Sequence, residues 1–364
     1  MSAGRAESRE PSGECRAPSS EQRGESTASR EPRAASRKGS AKGREPSAER
    51  HEESAERRAP RAGYPGNSLG DQEERPGRSR KYEPLDPRGV KTYPLSQRPS
   101  KVAVSAAGKP WEPGGTFRSY LESLPDHLAA QSFRQVVAAI LEARRRGKPV
   151  ILGMGAHVIK VGLSPIVVDL LERGLLAAVA TNGACAIHDF ELAYAGFTSE
   201  DVEAQLGAGE FGMAEETGRI INEAVAAGVK RGLGFGRALG EWMLGAKPAY
   251  VHQSIFAACA RLDLTCTVHV ALGTDIIHMH PSCDGAAMGE ATERDFRLLA
   301  AVVADLNDGG VYLNVGSAVL LPEVFLKALT LARNLGHRVQ DFVTVNMDFI
   351  QHYRPTQNVV RRPV

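Results

Sequence analysis

The stretch from Lys148 to Glu191 constrains the fold more than any other part of the chain. A short apolar run, Val150 to Leu152, stops at Gly153-Met154-Gly155, which is typical of a buried strand that ends in a tight turn. Ser164-Pro165 predicts a helix start, because Ser favours the N-cap and Pro favours the first helical position. Apolar residues then recur at helical spacing until Gly174 ends the run.

A second unit of the same kind follows directly. The apolar run Ala177 to Ala180 ends in Thr181-Asn182-Gly183, and His188-Asp189 comes a few residues later. Strand, turn, helix, strand and turn together predict a parallel β-α-β unit, whose two turns lie at the same edge of the sheet. Ligands of open α/β sheets bind at that edge. The sequence therefore predicts an α/β fold with an open, mostly parallel, Rossmann-like sheet and helices on both faces.

Three more strands are predicted farther along the chain, and each ends in a polar or glycine-bearing turn. If they run parallel to the first two, all of these turns converge on one crevice, which is stronger evidence for a site than any single motif. The strands and their turns are Leu264 to Leu272 before Gly273-Thr274-Asp275, Val311 to Asn314 before Gly316-Ser317, and Gln340 to Asn346 before Met347-Asp348.

The glycine turns indicate a nucleotide site, although the spacing is not the G-x-G-x-x-G fingerprint. Gly153 and Gly155 would let the backbone approach a ligand closely, and the N–H groups of the next helix would face a phosphate. The alternative is a pair of ordinary strand-to-helix turns. His188-Asp189 has two interpretations as well: a helix-start pair with Asp at the positive dipole end, or an imidazole that transfers protons near neutral pH.

The motif L-G-M-G-A-H-V-I-K-V-G, followed by a helix and T-N-G-A-C-A-I-H-D-F, resembles the corresponding region of deoxyhypusine synthases. The N-G-A-C-A-I-H-D-F-E segment is similar to the N-A-x-A-V-H-D-I-E type found in the nicotinamide-binding domain of one class of ornithine cyclodeaminases. The resemblance covers roughly residues 115 to 350 and is detailed only over 148 to 191. It implies a bound NAD and chemistry on a small amine or amino-acid substrate.

Under this resemblance, two carboxylates and one base would act on the amine. Ala271-Leu272-Gly273-Thr274-Asp275 is similar to the A-L-T-D-G sequence of the synthases, so Asp275 would bind a ribose or an ammonium group. Asp275 and Asp189 would stabilise the cation that develops next to nitrogen, and His188 would act as the base. The residues expected to bind NAD are Gly153, Gly155, Ala156, His157, Thr181, Asn182, Gly183, Gly316, Ser317, Asn346, Met347 and Asp348.

The chain also departs from the family. The synthases carry a C-terminal lysine that forms a covalent imine, whereas this chain has no lysine after Lys327. We therefore expect oxidation of an amine to an imine that is then transferred, cyclised or hydrolysed. The alternatives are a true deoxyhypusine synthase, which transfers an aminobutyl group from spermidine to a protein lysine, and a non-catalytic NAD-binding regulatory protein. A metal hydrolase that uses His278, His280 and Cys283 is a more distant possibility, and no metal is expected.

Composition separates the chain into unlike parts. Residues 1 to 85 are rich in Arg, Ser, Glu, Gly and Pro and are expected to be disordered, residues 86 to 115 to be a linker or arm, and residues 116 to 364 to be the NAD-binding domain. Residues 1 to 80 carry 17 basic and 14 acidic residues, a net charge of +3 that argues against nucleic-acid binding.

The remaining composition bears on compartment and assembly. The apolar runs are too short for a membrane span, and the five cysteines have neither paired nor metal-type spacing. With no recognisable signal peptide, a cytoplasmic protein with free thiols is expected. The family resemblance implies a homo-oligomer, by analogy a tetramer.

Overall fold

The computed structural model describes residues 82–364, so most of the tail predicted over residues 1 to 85 lies outside the described residues. Residues 82–90 belong to a different unit from residues 91–364. They contain one 3₁₀ turn, Pro87–Gly89, in which the side chain of Asp86 accepts from the backbone N–H of Arg88. The second unit begins with two further 3₁₀ turns, Leu95–Gln97 and Val104–Ala106.

A single five-stranded sheet forms the centre of the second unit, and every neighbouring pair of strands is parallel. This confirms the predicted α/β fold. The strand order is β3-β2-β1-β4-β5, so the chain moves outward from the central strand in one direction and then returns to its other side. The strands are β1 (Val150–Met154), β2 (Ala178–Asn182), β3 (Thr265–His269), β4 (Val311–Val315) and β5 (Val343–Met347).

The described residues contain twelve helices, several of them a single turn. Among residues 82–364, none of these helices combines the length and apolar character needed to cross a bilayer. The helices are α1 (Phe117–Ser123), α2 (Leu128–Arg145), α3 (His157–Lys160), α4 (Ser164–Glu172), α5 (Gly183–Ala195), α6 (Val202–Leu206), α7 (Glu215–Lys230), α8 (Phe235–Ala246), α9 (Ile255–Arg261), α10 (Gly285–Ala304), α11 (Leu320–Asn334) and α12 (Tyr353–Pro355), and a short π-helix, Thr356–Arg361, follows the last one.

Helices cover both faces of the sheet, as predicted. Side chains alternate along each strand, so apolar residues emerge on both faces and each face is covered by helices. On one face Leu152 and Val179 pack against α4, α5, α8 and α9, and on the other Ile151 and Tyr312 pack against α11 and the C-terminal half of α10. The Tyr312 ring stacks on Phe325 with the ring centroids 3.7 Å apart. Two apolar cores therefore hold the sheet in place and leave its carboxyl edge free to carry a site.

Polar side chains set several element boundaries. The Asn182 side chain accepts from the backbone N–H of Cys185, so β2 runs past the predicted Ala180 to Asn182 and α5 begins at Gly183. Asp284 accepts from the N–H groups of Ala286 and Ala287, so α10 begins at Gly285. Ser254 accepts from the N–H of Ala257 and caps α9.

Candidate functional site

The turns after β1 and β4 meet at the point where the strand order reverses. The N–H of Gly155 donates to the carbonyl of Val315 at 2.9 Å, and the N–H of Gly316 donates to the carbonyl of Met347 at 3.0 Å. A Cβ atom on Gly155 would overlap the carbonyl of Gly316, so the two turns are in backbone contact and position 155 has no room for a side chain. Three of the predicted cofactor-binding residues, Gly155, Gly316 and Met347, are thus brought together.

Two other predicted cofactor-binding residues lie inside the sheet. Gly153 belongs to β1, one residue short of its end, and its missing side chain makes room for the hydroxyl of Tyr312. Thr181 is fully buried in β2, and its hydroxyl donates to the backbone carbonyl of Thr267 at 2.8 Å. Both strands run farther than the apolar pattern predicted, so neither residue is in a turn, and each has a packing role.

The polar side chains after β4 and β5 hold the turns to one another. The amide of Asn314 donates to the side chain of Asn346 at 2.7 Å and to the carbonyl of Ser317 at 2.9 Å. The hydroxyl of Ser317 accepts from the N–H of Leu321 at the start of α11. These groups are therefore engaged inside the protein, whereas the predicted positions His157 and Met347 are exposed, Ala156 is buried and Asp348 is partly exposed.

A cleft of about 200 Å³ lies beside the carboxyl ends of β2 and β3, and we call it the β2–β3 cleft. Two of the predicted catalytic residues, His188 and Asp275, line it together. Three carboxylates line the cleft, those of Asp275, Glu191 and Glu200, against one ammonium group, that of Lys160. This excess of negative charge favours a cationic ligand. The lining residues are Lys160, Ala184, Ile187, His188, Glu191, Ser199, Glu200, Val202, Phe211, Thr274, Asp275 and Ile276.

His188 sits in the second turn of α5, not at a helix start. Burial, Lys160 and His157 lower the pKa of its imidazole to about 4. The carboxylate of Glu191 lies 3.9 Å from Nδ1. The imidazole is consequently neutral at pH 7, which is the form that accepts a proton.

Asp275 reaches the start of α5 from the turn after β3. Its carboxylate lies so close to Gly183 that a Cβ atom at that position would overlap it. Burial raises the pKa of Asp275, while His278 and the hydroxyl of Thr274 act in the opposite direction. The carboxylate stands where an anion would otherwise meet the N-terminus of the helix, so Asn182 and Gly183 are next to a carboxylate rather than an open phosphate site.

Asp189, the third predicted catalytic residue, does not line the cleft. It is 1% exposed, and its carboxylate accepts from the hydroxyl of Ser254 at 2.5 Å and from the N–H of Ile255 at 2.8 Å. Burial raises the pKa of Asp189 to about 7 against those hydrogen bonds. The structure therefore places this carboxylate at the start of α9, where it holds the helix against α5.

The histidines of the proposed metal alternative point to separate partners. Nδ1 of His278 accepts from the N–H groups of Gly273 and Asp275, and the ring of His280 contacts Ser282 and Glu215. Within residues 82–364 no group of three or more His, Cys, Asp or Glu side chains is arranged to hold a metal ion.

Sequence reasoning did not identify two acidic residues of the cleft, Glu191 and Glu200. Glu191 follows His188 by three positions, which places both on one side of α5, and this helical spacing was the available signal. Glu200 reaches the cleft from the loop after α5, where its carboxylate accepts from the N–H of Gly212 at 3.0 Å. A loop contact of this kind leaves no periodic trace in the sequence.

No protein-family model matches the chain, and no curated protein matches it. Among solved structures it is similar to ArgZ, an arginine dihydrolase from the ornithine-ammonia cycle in cyanobacteria (17% identity, TM-score 0.35), over 52% of this chain and 24% of that one. A LOR/SDH protein of Methanococcus maripaludis S2 (15%, 0.35) is matched over 59% and 62%, and a deoxyhypusine synthase-type protein of Entamoeba histolytica (13%, 0.36) over 64% and 98%.

The chain thus spans about a quarter of the length of ArgZ. The structures similar to this chain include proteins of the deoxyhypusine synthase and LOR/SDH types. At these identities and TM-scores the likeness carries no inference about activity, and the functional argument rests on the site itself.

Proposed function

We propose that the chain is an NAD-dependent enzyme that oxidises a primary amine or amino acid to an imine. The observation that carries this proposal is a neutral histidine in a cleft with an excess of carboxylates. His188 faces a space that it shares with Glu191, Glu200 and Asp275, against a single basic side chain, Lys160. An amine arrives at neutral pH as an ammonium ion, and a cleft of this charge attracts it.

The chemistry requires the amine to lose a proton before a hydride can leave its neighbouring carbon. His188 accepts that proton because the imidazole is neutral at pH 7, and Glu191 behind the ring stabilises the imidazolium that forms, which a pKa of about 4 alone would not favour. The lone pair on nitrogen then forms the C=N bond as the hydride departs, and positive charge develops on the C–N unit. Asp275, already placed beside the cleft, stabilises that charge. A bound NAD would supply the hydride acceptor.

The residues at the β1–β4 contact fit a dinucleotide better than those at the start of α5. Gly316 has a φ of 62°, and no atom lies within 4 Å of the position of its missing Cβ, so a ligand can approach its backbone. At Gly183 the corresponding space is filled by the Asp275 carboxylate, which would repel a phosphate. We therefore assign the phosphates of NAD to the contact between Gly155 and Gly316, and the amine substrate to the β2–β3 cleft beside His188.

The proposal is tested first by identifying, with mass spectrometry, any nucleotide that copurifies with the protein. NAD binding is then measured by calorimetry, and NADH formation is followed by absorbance with a panel of diamines, polyamines and basic amino acids. His188→Gln should retain NAD affinity and lower turnover by roughly 10²–10⁴-fold. His337→Gln, a change at an exposed histidine, is the matched control.

The possible results separate the alternatives. NADH formation with a member of the panel supports the proposal. Thermal stabilisation by NAD without turnover on any of them would instead identify a binding protein. No NAD binding at all would refute both. Transfer of label from spermidine to a protein lysine would identify a true deoxyhypusine synthase.

A further inference from the structure

Four side chains beside the β2–β3 cleft form one continuous chain of hydrogen bonds. Nδ1 of His188 lies 2.6 Å from the hydroxyl of Thr198, which lies 2.5 Å from Oε2 of Glu191. The other oxygen of Glu191 accepts from the hydroxyl of Thr217 at 3.0 Å. His188 and Glu191 side chains are each only 15% exposed, so these contacts are shielded from solvent.

The direction of each hydrogen bond follows from the number of protons available. An ionised carboxylate can only accept, so Thr198 gives its single hydroxyl proton to Glu191. The Thr198 oxygen then has only lone pairs left for the imidazole, and Nδ1 of His188 must be the donor. In the neutral ring the proton is therefore on Nδ1, and Nε2 carries the free lone pair.

The position of the imidazole ring directs the lone pair on Nε2 toward the cleft. Thr198 and Thr217 do not line the β2–β3 cleft; they line a neighbouring cavity of about 410 Å³ together with Phe190, Tyr194 and Phe197. His188 lines the cleft and is absent from that cavity. The imidazole thus separates Thr198 from the cleft, with its Nδ1 edge toward Thr198 and its Nε2 edge toward the cleft.

The backbone that carries Thr198 is held in a constrained conformation. Gly196, with a φ of 81°, ends α5 and reverses the chain so that Thr198 returns against the helix. Ser199 follows with a φ of 76°, a left-handed conformation that residues with a side chain rarely adopt. The hydrogen bond from the N–H of Gly212 to Glu200 secures the next residue.

We propose that Thr198 and Glu191 are positioning residues that hold His188 in its Nδ1-protonated tautomer, so that Nε2 is presented to the ligand in the cleft. This inference rests on the proposed function for its role in turnover, because Nε2 would be the atom that takes the proton of the amine. Glu191 also offsets the charge of the imidazolium formed in that step, as a carboxylate behind a catalytic histidine does.

The test is a direct measurement of the tautomer, made on the free full-length protein without NAD or amine. Long-range ¹H–¹⁵N correlation spectra of histidine-labelled protein distinguish a protonated Nδ1 from a protonated Nε2, and the His188→Gln spectrum identifies the signal. We expect the Nδ1-protonated form in the wild type and in Thr198→Ser, which keeps the hydroxyl. Thr198→Val, and Glu191→Met, which removes the acceptor of the Thr198 hydroxyl proton, should move the population toward the Nε2-protonated form.

Turnover provides the second readout. Thr198→Val should lower kcat by roughly 10–100-fold with little change in KM, which is less than full loss of the base, and Thr198→Ser should restore most of it. Thr330→Val, at an exposed position of α11, is the matched control for the substitution. Amide spectra of each variant show whether it is folded, and Thr198→Ser keeps the test decisive if the valine variant is not.

The positioning of His188 and the proposed oxidation of an amine can be refuted separately. An Nε2-protonated His188 in the wild type, or a tautomer that does not respond to Thr198→Val and Glu191→Met, overturns the positioning role whatever the protein catalyses. A tautomer that behaves as expected, in a protein that oxidises no amine, supports the positioning of His188 and refutes the proposed function alone.

Discussion

Replacing Asp189 by Asn separates an anchoring role of this residue from a catalytic one. Its carboxylate accepts from Ser254 and Ile255 inside the protein. Asn can keep the bond from Ile255 through its oxygen and donate from its nitrogen to the Ser254 hydroxyl. That hydroxyl is 2.9 Å from the sulfur of Met243, to which it can turn its proton. The substitution therefore keeps the partners of Ser254 and Ile255 and removes the charge, while one N–H of the new amide has no assigned acceptor.

The size of the effect follows from the pKa of Asp189, which rises from 3.8 to about 7 on folding. Between pH 3.8 and about 7, the folded state keeps a proton on Asp189 that the unfolded chain has lost. The stability that the uncharged side chain allows is therefore fully present below pH 3.8 and is lost as the pH rises to about 7. At roughly 1.4 kcal/mol per pKa unit, the loss amounts to about 4 kcal/mol. The Asn variant has no such loss and should exceed the wild type in stability by up to about 4 kcal/mol at pH 8.

The assay is urea unfolding, followed by circular dichroism, at intervals from pH 4.5 to pH 8.5. Taking the difference between variant and wild type removes the contribution of groups that both share, including the other buried carboxylate, Asp295. Asp305→Asn, at a side chain that is 67% exposed, supplies the baseline. A difference curve that stays flat across this range would refute the reasoning. So would a 100-fold loss of turnover at unchanged stability, which would place Asp189 in the catalytic machinery.

Three further results are expected at the carboxyl edge of the sheet. Gly183→Ala should displace the Asp275 carboxylate, which its Cβ would overlap, and raise the KM for the amine at least about tenfold without changing NAD affinity by calorimetry. Gly155→Ala should push against the Gly316 carbonyl, lower the free energy of unfolding by roughly 1–3 kcal/mol in urea titrations and weaken NAD binding. Turnover should decline only at acid pH, as Asp275, whose pKa burial raises, and His188, whose pKa is about 4, become protonated, so a decline near pH 4 that persists in His188→Gln would contradict the placement of His188.

The arrangement of strands, turns and helices could be predicted because it rests on local patterns. Short runs that stop before the turns beginning at Gly153, Thr181 and Gly316 indicate strands that end at one edge, and the sheet has that parallel arrangement. The position of β4 beside β1 could not be derived in the same way. Strand pairing joins residues far apart in sequence, as Gly153 and Asn314 are, and no short-range pattern records it.

The separation of His188 from Asp189 has a geometric cause. The sequence predicts both residues at one site, but successive residues of a helix point about 100° apart. In α5, which extends from Gly183 to Ala195, His188 lines the cleft while Asp189 is buried at the start of α9. Thr198 was out of reach of sequence reasoning altogether, because its contact with His188 depends on the reversal of the chain at Gly196.

The shortness of α3 connects the two parts of the proposed site. The glycine contact involves the ends of β1 and β4, whereas the cleft lies beside β2 and β3, so the same edge of the sheet carries two separate features. The helix α3 begins two residues after Gly155 and ends at Lys160, which lines the cleft. Four helical residues span only about 6 Å. A single turn of helix therefore connects the Gly155–Gly316 contact along the chain to the cleft that His188 lines.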